Sequence, residues 1–201
     1  MNPKPLSRSF FALALVACPL PIAAQSMTVL NSGEDARRCS TAAEVAASMR
    51  IASREDVEYC NLAIDLGTLR RGDRAGTFVN RGIIESTIGN YKHAMADYDR
   101  ALRVQPELPE AYVGRGNVLF VQGDIAGAIR EYDRALGMEM SRRHIPFLNR
   151  GMALEARGDL DGAERDYREA LRLQPDWPLA ASRIERVLQR RKAAAATPPA
   201  R

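Results

Sequence analysis

Histidine, cysteine and tryptophan are scarce: the 201 residues hold two His, three Cys and one Trp. His93 and His144 stand far apart, without a His-x-x-x-His spacing or a matching Cys or Asp set, so a metal site has no ligand pattern to draw on. No Cys-x-x-Cys occurs, which removes the usual dithiol redox motif. The N-terminal apolar run Phe10–Ala17 is eight residues long, far short of the roughly 20 that a membrane span needs. Strand-like alternation is absent. Charge of one sign is also in short supply, since 29 basic against 25 acidic residues leave a formal net charge of +4. That balance is too weak to imply nucleic-acid binding.

Three stretches are written alike, Arg81–Leu102, Arg115–Leu136 and Arg150–Leu171. Each opens Arg-Gly, reaches a second Gly (Gly89, Gly123, Gly158) followed by Asn90, Asp124 or Asp159, then an Ala (Ala94, Ala128, Ala163). They close alike, as Asp97-Tyr98-Asp99-Arg100-Ala101-Leu102, Glu131-Tyr132-Asp133-Arg134-Ala135-Leu136 and Asp166-Tyr167-Arg168-Glu169-Ala170-Leu171. An aromatic (Phe78, Tyr112, Phe147) precedes each copy. This spacing predicts two short helices, A and B, broken at the Gly-Asn/Asp pair. The second Gly suits a left-handed helix end and the following Asn or Asp an N-cap. A Gly inside helix A costs roughly 1 kcal/mol against Ala, so its recurrence calls for close packing, expected against the facing Ala of helix B. Pro106 and Pro175 stop helix B. A period of this kind means stacked units rather than one core around a catalytic pocket.

These units resemble tetratricopeptide repeats, the helix-turn-helix units of about 34 residues. With Ala75, Pro109 and His144 as first positions, the aromatic, both glycines, the Asn/Asp, the Ala, the Tyr and the second Ala fall in one register three times. The pattern departs at Met140, where a Pro is expected, and at Arg143, an inserted residue; a looser joint is expected over residues 138–146. The resemblance implies an all-α fold, a short right-handed α-solenoid. In that family helix A lines a concave groove that receives an extended peptide or a partner helix. Carried over position by position, the groove here is Val79, Asn80 and Ile83, then Val113, Asn117 and Phe120, then Leu148, Asn149 and Met152. Asn80 and Asn149 fall where related proteins use an amide to hold a ligand backbone, having a donor and an acceptor for it. Their other reading is as partners for neighbouring helices, with Arg81, Arg115 and Arg150 making ion pairs between repeats. No lysine pattern suited to clamping a C-terminal carboxylate is present.

Ahead of the repeats, Lys4 and Arg8, the apolar run Phe10–Ala17, then Pro19, Pro21 and Ala23-Ala24 read as a secretory signal peptide over 1–24, cleaved after Ala24. A competing reading is the Leu15-Val16-Ala17-Cys18 stretch, which resembles a bacterial lipoprotein box with Cys18 acylated. Removing the leader takes two positive charges and leaves about +2. The mature chain then keeps Cys39 and Cys60. An even count in an oxidising compartment suggests a disulfide. Residues 34–49 and 54–66 look helical, and the two cysteines lie nearly equidistant from a turn at 50–53, so an antiparallel pair brings them face to face. Two free buried thiols are the alternative.

The expected organisation is a signal over 1–24, a polar leader over 25–33, a helical hairpin over 34–68 and a basic linker over 69–74. Three repeats (75–108, 109–142, 144–177) follow, then a capping helix over 178–192 whose outer face is solvated by Arg183, Arg186, Arg190 and Arg191. A disordered tail takes 193–201. Gly114-x-Gly116 lacks a preceding strand and a third glycine, and Arg71-Gly72-Asp73 reads as a loop before a helix. Asp97/Asp99 and Glu131/Asp133 flank packing tyrosines, not a hydrolase site. The expectation is therefore a non-enzymatic, cofactor-free adaptor, periplasmic or secreted, that binds a protein or peptide. Contact with a membrane follows only if Cys18 is lipidated, which would make the chain an anchored lipoprotein with a structural role in envelope assembly. So short a stack also leaves homodimerisation open.

Overall fold

The computed structural model describes residues 33–65 and 69–196, and these form nine helices with no strand among them. The expected signal segment, Cys18, the expected leader up to residue 32, residues 66–68 of the expected hairpin and residues 197–201 of the expected tail lie outside the described residues. Helices α1 (Glu34–Met49) and α2 (Arg54–Asp65) make the hairpin. Three further pairs follow: α3 (Arg71–Thr87) with α4 (Tyr91–Val104), α5 (Pro109–Val121) with α6 (Ile125–Leu136), and α7 (His144–Arg157) with α8 (Leu160–Leu173). The last helix, α9 (Pro178–Ala196), packs on α8. The architecture is an all-α repeat solenoid.

Two boundaries differ from the sequence reading. Helix α3 starts at Arg71, so most of the expected linker is its first turn, and the Arg71 Nε donates to the Val104 carbonyl at the end of α4 (2.8 Å). Helix α9 continues to Ala196, into the stretch expected to be disordered. Alanine is the best helix former, and four alanines from Ala193 carry the helix on.

Each turn between A and B follows one pattern. Gly89, Gly123 and Gly158 have φ of 88°, 85° and 90°. The next amide reaches back across the helix end, Asn90 to the Glu85 carbonyl (2.8 Å), Asp124 to Leu119 (2.9 Å) and Asp159 to Leu154 (2.9 Å). Asp124 and Asp159 then cap the second helix by accepting from the Gly127 and Gly162 amides, each at 2.8 Å. Asn90 does not cap; its side-chain amide donates to Glu85 Oε2 (2.8 Å) instead.

The glycine in helix A is explained by a tyrosine, not by the alanine first expected. A Cβ on Gly82 would sit 2.7 Å from the Tyr98 ring, on Gly116 2.5 Å from Tyr132, and on Gly151 2.7 Å from Tyr167. These three rings are the largest fully buried side chains described. Tyr98 is held from both sides, since a Cβ on Gly114 of α5 would fall 2.4 Å from the same ring.

The hairpin is a variant of the same unit. Cys60-Asn61-Leu62-Ala63-Ile64 of α2 runs parallel to Tyr98-Asp99-Arg100-Ala101-Leu102 of α4, with Cys60 in the tyrosine's place. Cys39 and Cys60 are joined by a disulfide that brings the two Cα atoms to 4.9 Å. The covalent bridge sets the approach of α1 and α2 where the later pairs use a ring against a glycine. Closing this loop is worth about 3 kcal/mol in the loop-entropy account.

The inserted residue does not loosen the joint between the second and third repeats. The Arg143 guanidinium donates to the Leu136 carbonyl (3.0 Å) and to that of Met138 (3.1 Å), tying the end of α6 to the start of α7. At the far end Arg186, Arg190 and Arg191 of α9 are half-exposed as expected, but their guanidinium groups pair with acids of the third repeat, and Arg183 departs from the expected outer face. Arg183 is buried, and Glu155 of α7 accepts from Arg186 (2.6 Å), Arg190 (3.0 Å) and the Tyr167 hydroxyl (2.8 Å). Burial alone would raise the Glu155 carboxyl, but hydrogen bonds from Arg186, Tyr167 and Arg190 hold it below the ordinary glutamate range.

Gly114→Ala forces the Tyr98 ring off its seat. We expect a loss of roughly 1–3 kcal/mol in urea unfolding. An unchanged midpoint would show that this contact does not limit how closely the first two repeats stack.

Candidate binding surface

The residues expected to line a concave groove are mostly interior. Val79, Asn80, Ile83, Val113, Asn117, Leu148, Asn149 and Met152 are all buried, and only Phe120 is partly exposed. At the first repeat the cause is α1, which packs along α3 and puts Cys39, Ala43 and Ala46 into one cluster with Val79 and Ile83. Val113, Leu148 and Met152 belong to the second cluster, with Tyr132 and Tyr167. A helix A with neighbours on several sides spends these positions on contacts between units.

The asparagines follow the same logic. Asn149 Nδ2 and the Tyr132 hydroxyl both donate to Asn117 Oδ1, each at 2.9 Å, linking α5, α6 and α7. Burial pushes the Tyr132 phenol upward, so it remains a donor. The Asn117 Nδ2 is buried without a hydrogen-bond partner. Asn80 is wholly buried in the first repeat.

A ladder of arginines runs along the stack. Arg81 makes a bidentate pair with Asp97 of its own unit (2.7 Å twice) and donates to Asn61 of the preceding hairpin (2.7 Å). Arg150 repeats this with Asp166 (2.7 and 2.8 Å) and with Asp133 of the preceding repeat (2.6 Å). Arg115 bonds Asp99 at 3.1 Å but reaches the longer Glu131 only at 3.4 Å, and Arg115 Nε and Glu131 Oε2 lie 3.3 Å apart without hydrogen-bond geometry. Arg81 and Arg150 also lie over Phe78 and Phe147, 5.6 and 5.5 Å from the ring centroids. In the third repeat the outgoing rung is Arg168, paired with Glu164 (2.7 Å), so the ladder stops there. Hydrogen bonds donated to Asp166 and Asp133 push the Arg150 guanidinium upward and hold it charged.

The two ends of the stack differ. The outward positions of α9 are Ser182, Glu185, Gln189 and Lys192, all exposed and polar. The hairpin instead exposes Met49 (67%), Ile51 (65%), Leu62 (48%) and Val45 (37%). Along it runs an open cleft of about 720 Å³ between one face of α1 and the start of α2. Ala42, Val45, Ile51 and Ala52 supply its apolar wall, and Glu34, Arg37, Arg38, Asp56 and Tyr59 its polar rim. The sequence reading missed this surface. Its signal was Met49 and Ile51 beside a turn, where large apolar residues have no core to enter. Among the described residues no group of three His, Cys, Asp or Glu side chains could hold a metal ion, and no helix is long and apolar enough to cross a membrane. His93 is exposed, 4.0 Å from Glu85, and His144 meets Trp177 edge-on with ring centroids 5.2 Å apart.

Stacked helix pairs held by a recurring glycine and tyrosine define a helical-repeat protein. Family models of the tetratricopeptide repeat match residues 80–142 and 146–177, and this chain is a tetratricopeptide-repeat protein. Among solved structures it is similar to that of MamA (16% identity, 68% of this chain and 77% of that one, TM-score 0.58). It is also similar to the first such domain of Spaghetti (RPAP3) bound to the HSP90 peptide SRMEEVD (22% identity, 59% and 93%, TM-score 0.56). A third is YrrB, described as having an unusual peptide-binding site (24% identity, 66% of each chain, TM-score 0.57). No curated protein matches.

Replacing Arg150 by Met strands the buried Asp166 and cuts the tie to Asp133. The expected cost is about 2 kcal/mol, against under about 1 kcal/mol for Arg100→Ala, whose guanidinium is half in solvent. Equal losses in chemical unfolding would contradict the ladder's role.

Proposed function

We propose that this protein is a non-enzymatic adaptor of the bacterial cell envelope, periplasmic or secreted, that binds a protein or peptide partner. The observation that carries the reading is the unequal finish of the stack, with a polar helix at one end and uncovered apolar side chains beside a cleft at the other. A soluble repeat protein needs polar outer faces at its ends, and an unsealed end is a surface kept for contact. The ionic groups of the repeats are consumed in holding helices together, which leaves them no convergent set for chemistry. Two structural neighbours, one bound to an HSP90 peptide and one described by its peptide-binding site, support peptide or protein binding as the mode.

Export rests on the N-terminal segment and agrees with the Cys39–Cys60 bridge, since disulfides persist in oxidising compartments. The Leu15-Val16-Ala17-Cys18 stretch favours a second reading, a lipoprotein anchored through Cys18. In-cell crosslinking in the native host, followed by fractionation and intact-mass measurement, separates them. The expected result is a chain beginning at Gln25, oxidised, in the periplasmic or secreted fraction and linked reproducibly to one partner. An acylated chain beginning at Cys18 would select the anchored reading. A full-length cytoplasmic chain with free thiols would overturn both.

A further inference from the structure

Among the described residues the cleft of the hairpin carries one charge without a partner, that of Arg37. Glu34 is paired with Arg38, and Arg38 lies over the Tyr59 ring (5.4 Å to the centroid). Asp56 accepts from the Ser53 amide (2.7 Å) and hydroxyl (2.9 Å), capping α2. The Arg37 side chain has no ion pair or hydrogen bond among the described residues and is exposed on the rim. Val45, with Ile51 opposite, forms the apolar end of the same cleft. At a rise of about 1.5 Å per residue, Arg37 and Val45 stand about 12 Å apart along α1.

Building on the adaptor reading, we propose that this cleft receives an extended segment of a partner protein in which a large apolar side chain enters at Val45 and Ile51 and a carboxylate meets Arg37. In an extended chain about 12 Å is three or four residues, which sets the spacing of the two anchors. The apolar anchor supplies affinity by leaving water, and the carboxylate fixes the direction of the segment. The protein's own N-terminal stretch lacks half of this chemistry, because residues 1–33 contain no Asp or Glu. A second copy docked cleft to cleft would bring another unpaired Arg37 where an acid is needed.

Panning the full chain against a random peptide library, then measuring enriched peptides by fluorescence polarisation, tests the proposal. The enriched set should share a Leu, Ile, Met or Phe with an Asp or Glu three or four positions away. Arg37→Glu, on the exposed rim and harmless to the fold, should weaken these peptides about threefold to tenfold, and exchanging the peptide acid for Lys should restore binding to that variant. Ala42→Trp, which fills the cleft, should weaken them by more than about tenfold. Peptides that bind both variants as well as the parent would overturn the cleft assignment while leaving the adaptor reading intact. Failure of any peptide to bind the parent would count against both. A photo-crosslinking residue in place of Ile51 reports the occupant: capture of the peptide supports the proposal, and capture of residues 25–32 or of a second copy in its place overturns it.

Discussion

A buried tyrosine ring lying directly against a helix backbone sets the spacing of this whole molecule. Tyr98, Tyr132 and Tyr167 each occupy the space that a Cβ would take on Gly82, Gly116 and Gly151. With the ring seated, the recurring alanines of helix B, such as Ala94, Ala128 and Ala163, are completely enclosed, and the acids flanking each tyrosine reach the arginine that follows the aromatic of helix A. The ladder of charges is thus a consequence of the ring contact. Its partners are placed by a packing distance, and without that distance the buried Asp97 and Asp166 would be uncompensated charges in an apolar interior.

The hairpin meets the same constraint with different chemistry. Having no tyrosine at Cys60, it fixes the separation of α1 and α2 with a covalent bond, and Asn61 then takes the place that Asp99 and Asp133 hold for later arginines. The first unit therefore joins the stack through the same rung as its neighbours. At the other end Arg168 ends the ladder, and α9 is drawn down by Glu155 and Glu164 rather than by a further rung. One end is finished with polar side chains, while the other keeps Met49 and Ile51 in water. That asymmetry gives the solenoid a direction and a free surface.

Much of this was legible in the sequence because it depends on local rules. The left-handed glycines, the helix count and the pairing of Cys39 with Cys60 follow from spacing and turn chemistry, and tertiary context left them unchanged. Other features depend on which neighbour arrives. Position within a helix names the face on which Val79, Ile83 and Met152 lie, but not that α1 and the adjoining repeats cover it. The solvated face expected of the α9 arginines holds for Arg186, Arg190 and Arg191 only in part, because nothing local to them announces Glu155, which lies in α7 and pairs with Arg186 and Arg190. The glycine partner was misassigned to alanine for a related reason: a ring from helix B reaches further across the pair than a methyl group, and periodicity carries no measure of reach. The likeness of Cys60-Asn61-Leu62-Ala63-Ile64 to the end of the first repeat was there to be read, obscured by the loss of the aromatic.

The disulfide does for the hairpin what the tyrosine seat does for the repeats, within one continuous stack. Hydrogen exchange measured by mass spectrometry on oxidised and reduced protein addresses it directly. Reduction should strip protection from α1 and α2 first and then weaken α3, which loses its cover, while α5 to α8 keep most of theirs. Protection unchanged in the hairpin on reduction, or lost evenly along the whole chain, would contradict it.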